Sequence, residues 1–189
     1  NANIRIGDTV VVFAQGPIGL CATAGARLLG ATTIIAVDGN DHRLGIAQKM
    51  GADVTLNFKN CDVIDEIMKI TGGRGADSAI EALGTQATFE SALRCIKPGG
   101  TLSSLGVYSE DLKIPLSAFA AGLGDHKINT ALCPGGKERM RRLMNVLASG
   151  RLDLGVLVTP HYKLDDIVAA YDLFSHQRDG VLKVAIKPF

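Results

Sequence analysis

A strand-like apolar run leads straight into a glycine turn near the start of the chain. Residues 9–14 are Thr-Val-Val-Val-Phe-Ala, and residues 15–19 are Gln-Gly-Pro-Ile-Gly, followed by small residues compatible with a helix. In a strand, turn and helix of this kind the first helical N–H groups face outward, where they can bind a pyrophosphate. Asp38 ends a second apolar run, where a carboxylate can bind ribose hydroxyls. The feature predicts a dinucleotide-binding βαβ unit.

The remainder of residues 1–132 alternates short β-branched runs with longer helical runs, which is typical of parallel strands joined by helices. Six strands in this order predict an α/β Rossmann fold, a doubly wound parallel six-stranded sheet with helices on both faces. The predicted strands cover residues 9–14, 32–37, 54–57, 77–83, 101–106 and 127–131. The predicted helices cover residues 17–29, 41–50, 63–70 and 86–96.

The pattern changes after the Cys-Pro-Gly-Gly segment at residues 133–136. Beyond it we predict a short α/β extension, with helices over 137–149 and 164–174 and a closing strand over 181–186. No second glycine turn of the nucleotide-binding kind follows a strand there. The sequence therefore predicts a dinucleotide-binding domain over residues 1–132 and a C-terminal segment over residues 133–189.

The turn itself departs from the usual glycine fingerprint at one position. Ala14 stands where the first glycine is usual, which is tolerable if its φ angle is negative. We expect Gly16 to let the backbone approach the pyrophosphate and Gly19 to let the helix pack against the first strand. Because Pro17 has no N–H, the predicted phosphate donors are the amides of Ile18 and Gly19.

Asp38 bears on the choice of cofactor. Its carboxylate can accept hydrogen bonds from both adenosine ribose hydroxyls of NAD, whereas it would repel the 2′-phosphate of NADP. At about 4 Å and an effective dielectric constant of about 20, that repulsion is about 4 kcal/mol per charge pair. Gly39 and Asn40 follow, so no arginine stands at the usual phosphate-binding place. Arg43 either reaches the ribose or is an ordinary solvated arginine.

Two glycines end the fourth and fifth predicted strands, at the edge where ligands bind in open α/β sheets. Gly84 and Gly106 are either turn glycines or positions that leave room for the nicotinamide half of a cofactor. In the second interpretation that space is lined by Ala82, Leu83, Leu105 and Val107. The spacing alone favours neither interpretation.

Composition and charge narrow the class of function. The chain has 20 Lys and Arg residues against 19 Asp and Glu residues, and a net charge of +1 provides no basic field for nucleic acid. No apolar run approaches the roughly 20 residues of a membrane span, and the N-terminus lacks the layout of a signal peptide. We expect a soluble, cytoplasmic protein that binds neither nucleic acid nor membranes. Because there is no initiator methionine, we also expect a piece of a longer polypeptide.

Residues that could bind a metal or act as nucleophiles are scattered. Cys21, Cys61, Cys95 and Cys133 are widely spaced with no Cys-x-x-Cys pair, which favours reduced packing cysteines over zinc ligands or disulfides. The four histidines do not occur at ligand or triad spacing. We expect Glu81 to be buried with a partner and not to be an acid–base group. No catalytic or metal-binding residue is assigned to this chain.

Longer motifs resemble one enzyme family. The likeness is carried by GADSAIEALG at residues 75–84, IKPGGTLSSLGVY at residues 96–108 and the CPGG segment within residues 126–153. These segments resemble the zinc-dependent medium-chain alcohol dehydrogenases, and the CPGG segment is specific to the bacterial secondary alcohol dehydrogenases. The resemblance runs through nearly the whole chain and also includes residues 7–38, 43–53 and 158–174.

The resemblance implies a two-domain subunit whose nucleotide-binding domain is followed by a short C-terminal return. In the family the zinc ligands lie in an N-terminal catalytic domain, which is not part of this chain. The implied activity of the parent protein is oxidation of secondary alcohols to ketones by zinc-assisted hydride transfer to NAD. We expect this chain to bind NAD(H) without turnover. A homodimer or homotetramer is also implied, because sixth strands pair across a twofold axis in the family, here at about residues 127–132.

The resemblance assigns site residues as well. Asp38 and Arg43 would hold the adenosine ribose, and residues 16–19 would hold the pyrophosphate. Members that use NADP have Gly-Ser-Arg at residues 38–40, so this chain is expected to prefer NAD. Four residues at the ends of the fourth and fifth strands would face the nicotinamide, namely Leu83, Gly84, Leu105 and Val107.

Two other interpretations stay open. One is a self-sufficient NAD-binding module that acts as a redox sensor or assembly domain. The other is a zinc-independent quinone reductase of the same superfamily, which would more often prefer NADPH.

Overall fold

The chain forms two compact units, Asn1–Pro134 and Gly135–Phe189. The structure, a computed structural model, describes residues 1–132, 134–176, 178 and 180–189. In the first unit the strands are β1 Thr9–Phe13, β2 Thr33–Asp38, β3 Val54–Asn57, β4 Ala76–Glu81, β5 Ile96–Ser104 and β6 Lys127–Thr130. The helices of this unit are α1 Pro17–Leu28, α2 Asp41–Lys49, α3 Val63–Ile70 and α4 Gln86–Arg94. A short 3₁₀ turn covers Ala120–Gly122.

The strands of the first unit form one parallel sheet. Their order is β3-β2-β1-β4-β5-β6, and every neighbouring pair is parallel. This is the order of two mononucleotide-binding halves that meet between β1 and β4, where ligands bind beyond the carboxyl ends of the strands. The structure confirms the predicted α/β Rossmann fold.

The central strands are apolar because both of their faces are covered. Val10, Val11 and Val12 of β1 are fully buried, as are Ile34 and Ile35 of β2. A continuous buried run of this kind is expected where helices pack on both sides of a parallel sheet. The core therefore lies along β1, β2 and β4, and it places the strand ends rigidly.

Capping side chains begin three of the four helices. Asn40 accepts hydrogen bonds from two N–H groups of α2, Asp62 does the same for α3, and Thr85 accepts one from α4. The helix α1 begins differently, with Gly16 at the N-cap, Pro17 in its first turn and no side-chain cap. The first turn of α1 thus has backbone donors that no side chain caps.

Several strand boundaries differ from the prediction, and two of them, the end of β1 and the start of β5, have a clear physical reason. The strand β1 ends at Phe13 because Ala14 has a positive φ angle, which no extended strand accommodates. The strand β5 begins at Ile96, not at residue 101, because Ile96 pairs with Ala76 before the register shifts. Residues 97–100 form an irregularity inside β5, with Gly99 at a φ of 74°.

The second unit contains a two-stranded parallel sheet and two helices. Its elements are α5 Lys137–Ala148, β7 Val158–Lys163, α6 Ile167–Ser175 and β8 Lys183–Lys187, with short 3₁₀ turns at Gly155–Leu157 and Leu164–Asp166. The strand β7 was not predicted. It contains Pro160, which removes a backbone donor, and a proline is tolerated there because each strand of a two-stranded sheet has an open edge.

No helix in the part of the chain that the structure describes is both long enough and apolar enough to span a membrane.

Candidate functional site

The turn between β1 and α1 has the close packing that a phosphate-binding turn needs. A Cβ atom on Gly19 would lie 1.7 Å from the carbonyl oxygen of Ala14, so only glycine fits where the helix meets the end of the strand. A Cβ atom on Gly16 would meet no atom within 4 Å, so the space above Gly16 is open. The predicted donors Ile18 and Gly19 lie in the first turn of α1, which has no side-chain cap.

Ala14 does not meet the condition under which the sequence argument found alanine tolerable here. Its φ angle is 68°, not negative. The residue turns the chain from β1 into the loop, and its N–H donates to the carbonyl oxygen of Val37 at 2.9 Å. A left-handed conformation costs a non-glycine residue about 1 kcal/mol or more. This position is strained for the same reason that a glycine is usual there.

Asp38 is held at the end of β2 by both of its carboxylate oxygens. Its Oδ2 accepts the N–H of Gln15 at 2.6 Å, and its Oδ1 accepts the N–H of Asn40 at 2.9 Å. The side chain is 8% exposed. An ionised carboxylate has about four acceptor positions, so two remain for further donors such as ribose hydroxyls. Asp38 therefore links the glycine turn to the start of α2 in a fixed orientation.

Gln15 is a buried member of the turn that the sequence argument did not single out. Its Nε2 donates to the carbonyl oxygen of Val12 at 2.9 Å, and its Oε1 accepts the hydroxyl of Thr23 at 3.0 Å. Both side chains are fully buried. The available signal was a large amide inside a glycine turn with a hydroxyl residue eight positions later in the helix.

Two further residues lie beside Asp38. Arg43 is in the first turn of α2, as predicted, and its side chain is half-buried. Phe58, which the sequence argument missed, is half-exposed and lies over Gly39. A Cβ atom on Gly39 would lie 2.5 Å from the Phe58 ring, so a larger residue there would displace the ring.

The loops after β4 and β5 touch each other through their glycines. A Cβ atom on Gly84 would lie 2.4 Å from the carbonyl oxygen of Val107, and one on Gly106 would lie 2.3 Å from the nitrogen of Gly84. Gly84 also has a φ angle of 97°. The close backbone contact explains why both positions are glycine, which supports the interpretation of both as turn glycines. Leu83 and Val107 nevertheless stay 55% and 79% exposed, and Leu105 is half-buried.

Glu81, the last residue of β4, is fully buried beneath these two loops. Its Oε1 accepts the N–H groups of Leu83 and Gly84 at 2.8 Å each, together with the hydroxyl of Thr88 at 2.8 Å. Its Oε2 accepts the hydroxyl of Tyr108 at 2.6 Å and that of Ser104 at 3.3 Å. The structure confirms that Glu81 is buried with partners.

These contacts shift the pKa values of Glu81 and Tyr108. Burial raises the pKa of the Glu81 carboxyl, but hydrogen bonds, led by that of the Tyr108 hydroxyl, outweigh burial and hold this pKa below its ordinary value. Burial and the hydrogen bond to Glu81 raise the pKa of Tyr108 far above its ordinary value. At neutral pH the site thus contains a carboxylate and a neutral phenol.

The remaining candidates do not form a second site. Cys21 is exposed, Cys61 is half-buried and Cys95 is buried, and burial raises the pKa of the Cys95 thiol. Cys133 lies outside the described residues. Among the side chains that the structure describes, no three His, Cys, Asp or Glu residues converge closely enough to hold a metal ion.

A family model described as zinc-binding dehydrogenase matches residues 17–149, which include Gly19, Asp38 and both glycine loops. The chain belongs to the zinc-binding dehydrogenase family. Named relatives agree. The chain is 84% identical to an alcohol dehydrogenase of Cupriavidus necator over all of its own length and 51% of the relative's. It is 36% identical to an NADP-dependent isopropanol dehydrogenase of Entamoeba histolytica, over 98% of this chain and 52% of that protein.

Solved structures of dehydrogenases have the same fold. A zinc-dependent alcohol dehydrogenase 2 from Streptococcus pneumonia superposes with a TM-score of 0.91 at 32% identity, over 98% of this chain and 53% of that one. The alcohol dehydrogenase TADH from Thermus sp. ATN1 gives a TM-score of 0.88 at 30% identity, over 98% of this chain and 54% of that one. This member of the zinc-binding dehydrogenase family therefore spans about half the length of the relatives it matches.

Proposed function

We propose that this chain contributes the NAD(H)-binding domain, residues 1–132, and a C-terminal segment, residues 133–189, to an alcohol dehydrogenase that oxidises secondary alcohols to ketones. The observation that carries the proposal is the fixed carboxylate of Asp38 beside the open glycine turn. Its oxygens are held by the N–H groups of Gln15 and Asn40 and retain acceptor positions for a ribose. A carboxylate next to a phosphate-binding turn is the arrangement that binds the adenosine end of a dinucleotide.

The other residues divide the cofactor between them. The pyrophosphate lies over Gly16 and Pro17 and accepts the N–H groups of Ile18 and Gly19, where α1 has no side-chain cap. Arg43 flanks the ribose. The nicotinamide lies at the carboxyl ends of β4 and β5, against the residues Leu83, Gly84, Leu105, Gly106 and Val107. When bound, NAD supplies the ring that accepts a hydride from the alcohol.

We infer that NAD is preferred over NADP. The argument is electrostatic, because a 2′-phosphate would lie beside the Asp38 carboxylate and one third of a repulsion of about 4 kcal/mol already corresponds to about tenfold in affinity. The relative from Entamoeba histolytica is named NADP-dependent, so this preference distinguishes the chain from some of its relatives.

The alcohol chemistry needs more than this chain. Among the described residues, no three His, Cys, Asp or Glu side chains come together in a way that could hold a metal ion. The contribution of this chain is to bind the cofactor and to orient its nicotinamide. We infer that the chain alone binds NAD(H) without oxidising alcohols.

Titration of the purified chain with NADH and with NADPH, followed by the fluorescence of the bound nicotinamide, tests the proposal. We expect NADH to bind at least about tenfold more tightly than NADPH. Asp38→Asn should reduce that ratio several-fold because it removes the charge that repels the 2′-phosphate. The control is Asp165→Asn, an exposed aspartate in the second unit, which should leave the ratio unchanged.

Other outcomes would favour other functions. An Asp38→Asn ratio equal to that of the wild type would refute the cofactor assignment. Tighter binding of NADPH would favour a quinone reductase. Alcohol-dependent formation of NADH by the chain alone, above a metal-stripped control, would contradict its role as a cofactor-binding part. A gene that encodes only this chain would favour a separate sensor or assembly module.

A further inference from the structure

Glu81 is an unusual side chain for the interior of this sheet. It is fully buried at the end of β4, and burying a carboxylate costs several kcal/mol unless strong donors surround it. The groups that face it are two backbone N–H groups and three hydroxyls, with no cation among these hydrogen-bond partners.

The two oxygens of Glu81 hold two different loops. Oε1 accepts from Leu83 and Gly84, which leave β4, and from Thr88 in α4. Oε2 accepts from Tyr108, in the loop that leaves β5. A single carboxylate therefore fixes the spacing of the two loops that follow β4 and β5.

Tyr108 is itself held firmly. Its ring packs edge-on against Phe89 of α4, with 6.1 Å between ring centroids. Its oxygen also lies 2.6 Å from the hydroxyl of Ser104. Since Tyr108 follows Val107 directly, its bond to Glu81 determines where Val107 lies.

The residues that these bonds place are the exposed apolar ones at the edge of the sheet. Leu83 and Val107 project from the two loops and stay more than half exposed. Between them the backbones of Gly84 and Gly106 are in direct contact. This contact leaves the loops little freedom to shift independently.

We infer that Glu81 and Tyr108 are positioning residues that set the two-loop surface for the nicotinamide half of the dinucleotide without touching it. The inference rests on the proposed function. It separates the two ends of the cofactor, because Glu81 and Tyr108 act on the loops after β4 and β5, whereas the adenosine end is held by Asp38 and the turn before α1. Loss of the hydrogen bond between Glu81 and Tyr108 should weaken binding of the nicotinamide half only.

The test compares NADH with ADP-ribose, which lacks the nicotinamide. Tyr108→Phe removes the hydroxyl and keeps the ring packed on Phe89. We expect the Kd for NADH to rise about five- to tenfold, which corresponds to about 1 to 1.4 kcal/mol of binding free energy. We expect the Kd for ADP-ribose, measured by calorimetry, to change less than about twofold. The fluorescence enhancement of bound NADH should also fall.

A second variant and a control complete the design. Glu81→Gln keeps an acceptor for the N–H groups of Leu83 and Gly84. It should therefore weaken NADH binding less than Glu81→Ala does. Tyr171→Phe removes an exposed phenol from α6 and should change neither affinity. If Tyr108→Phe weakens the binding of NADH and of ADP-ribose equally, or weakens neither, the positioning role is wrong. If the wild-type chain binds neither NADH nor ADP-ribose, the proposed function itself fails.

Discussion

Single atoms decide whether the turn between β1 and α1 can form. Gly19 has no room for a Cβ atom because the Ala14 carbonyl oxygen lies in its path, whereas Gly16 has open space on the same side. The two glycines of the turn therefore serve different purposes. Gly19 permits close packing of helix on strand, and Gly16 leaves open space on the side where we propose that the pyrophosphate binds. Ala14, which stands where the first glycine of the turn is usual, has a φ of 68° and is strained.

Gly19→Ala should be strongly destabilising. The added methyl group would collide with the Ala14 carbonyl, so we expect the free energy of unfolding to fall by about 2 kcal/mol or more and the affinity for NADH to fall with it. Urea denaturation measures the first effect and fluorescence titration the second. The control is Gly25→Ala in the same helix, where a Cβ atom meets nothing within 4 Å. It should raise the free energy of unfolding by up to about 1 kcal/mol, and equal effects of the two substitutions would disprove the packing argument.

Ala14→Gly should stabilise the chain. Glycine removes the left-handed strain of about 1 to 2 kcal/mol but loses about 0.5 to 1 kcal/mol of backbone entropy, so we expect a net gain of about 0.5 to 1 kcal/mol. Ala22→Gly, at a half-buried helical position of α1, should instead cost about 1 kcal/mol. Thermal and urea denaturation of both variants measure the difference. A loss of stability in Ala14→Gly would mean that Ala14 is not strained.

At the scale of elements, carboxylates bind the N–H groups at both ends of the sheet. At the amino end, Asp77 accepts the N–H of Thr9 at 2.8 Å, and Asp53 accepts the N–H of Ile34 at 2.8 Å. At the carboxyl end, Asp38 and Glu81 accept the N–H groups of the loops. These side chains tie neighbouring strands together where the backbone ladder ends, and the carboxyl-end pair also shapes the site.

Asp77, at the amino end of the sheet, leads to a prediction about pH. Burial raises the pKa of Asp77, but hydrogen bonds from Lys97 and from the Thr9 N–H outweigh burial and lower it. A lowered folded-state pKa adds stability above the unfolded-state pKa, and that stability is lost as the pH falls through the folded-state value. We expect Asp77→Asn to lower the free energy of unfolding by about 1 to 2 kcal/mol at pH 7. The difference from the wild type should shrink below about pH 4. Urea denaturation at pH 7, 5 and 3 measures it, and a pH-independent difference would contradict this account.

At the scale of the whole molecule, the first unit has an open edge at β6. This strand is the last in the sheet order, and Lys127, Asn129 and Thr130 are exposed. An exposed edge offers unpaired backbone groups to a second strand. We propose that two copies of the chain pair through β6 across a twofold axis.

Sedimentation of the chain over a range of concentrations tests the pairing. We expect a dimer for the wild type and a shift toward monomer for Thr130→Glu, because a charge added to the pairing edge must lose its hydration when the two strands meet. Thr55→Glu, in β3 at the opposite edge of the sheet, should leave the dimer intact. A wild type that stays monomeric at high concentration would refute the pairing.

The sequence by itself determined the elements of the first unit and much of its architecture. Buried apolar runs of strand length that alternate with helical runs can satisfy their backbone groups and cover their faces only in a parallel α/β sheet, and that sheet is present. The placement of Gly16, Gly19 and Asp38 at the edge of this sheet followed as well, because a strand, a turn and a helix are local in the chain.

Tertiary structure alone decided the features that depend on distant residues. The positive φ of Ala14 results from the packing of α1 and from hydrogen bonds to β2, more than twenty residues away. The five partners of Glu81 come from two loops, a helix and the end of β5, whose spacing no local pattern encodes. The strand β7 forms because β8 lies beside it, although its own sequence contains a proline. Local patterns specify which residues can form an element, and only packing between elements specifies which buried polar groups meet.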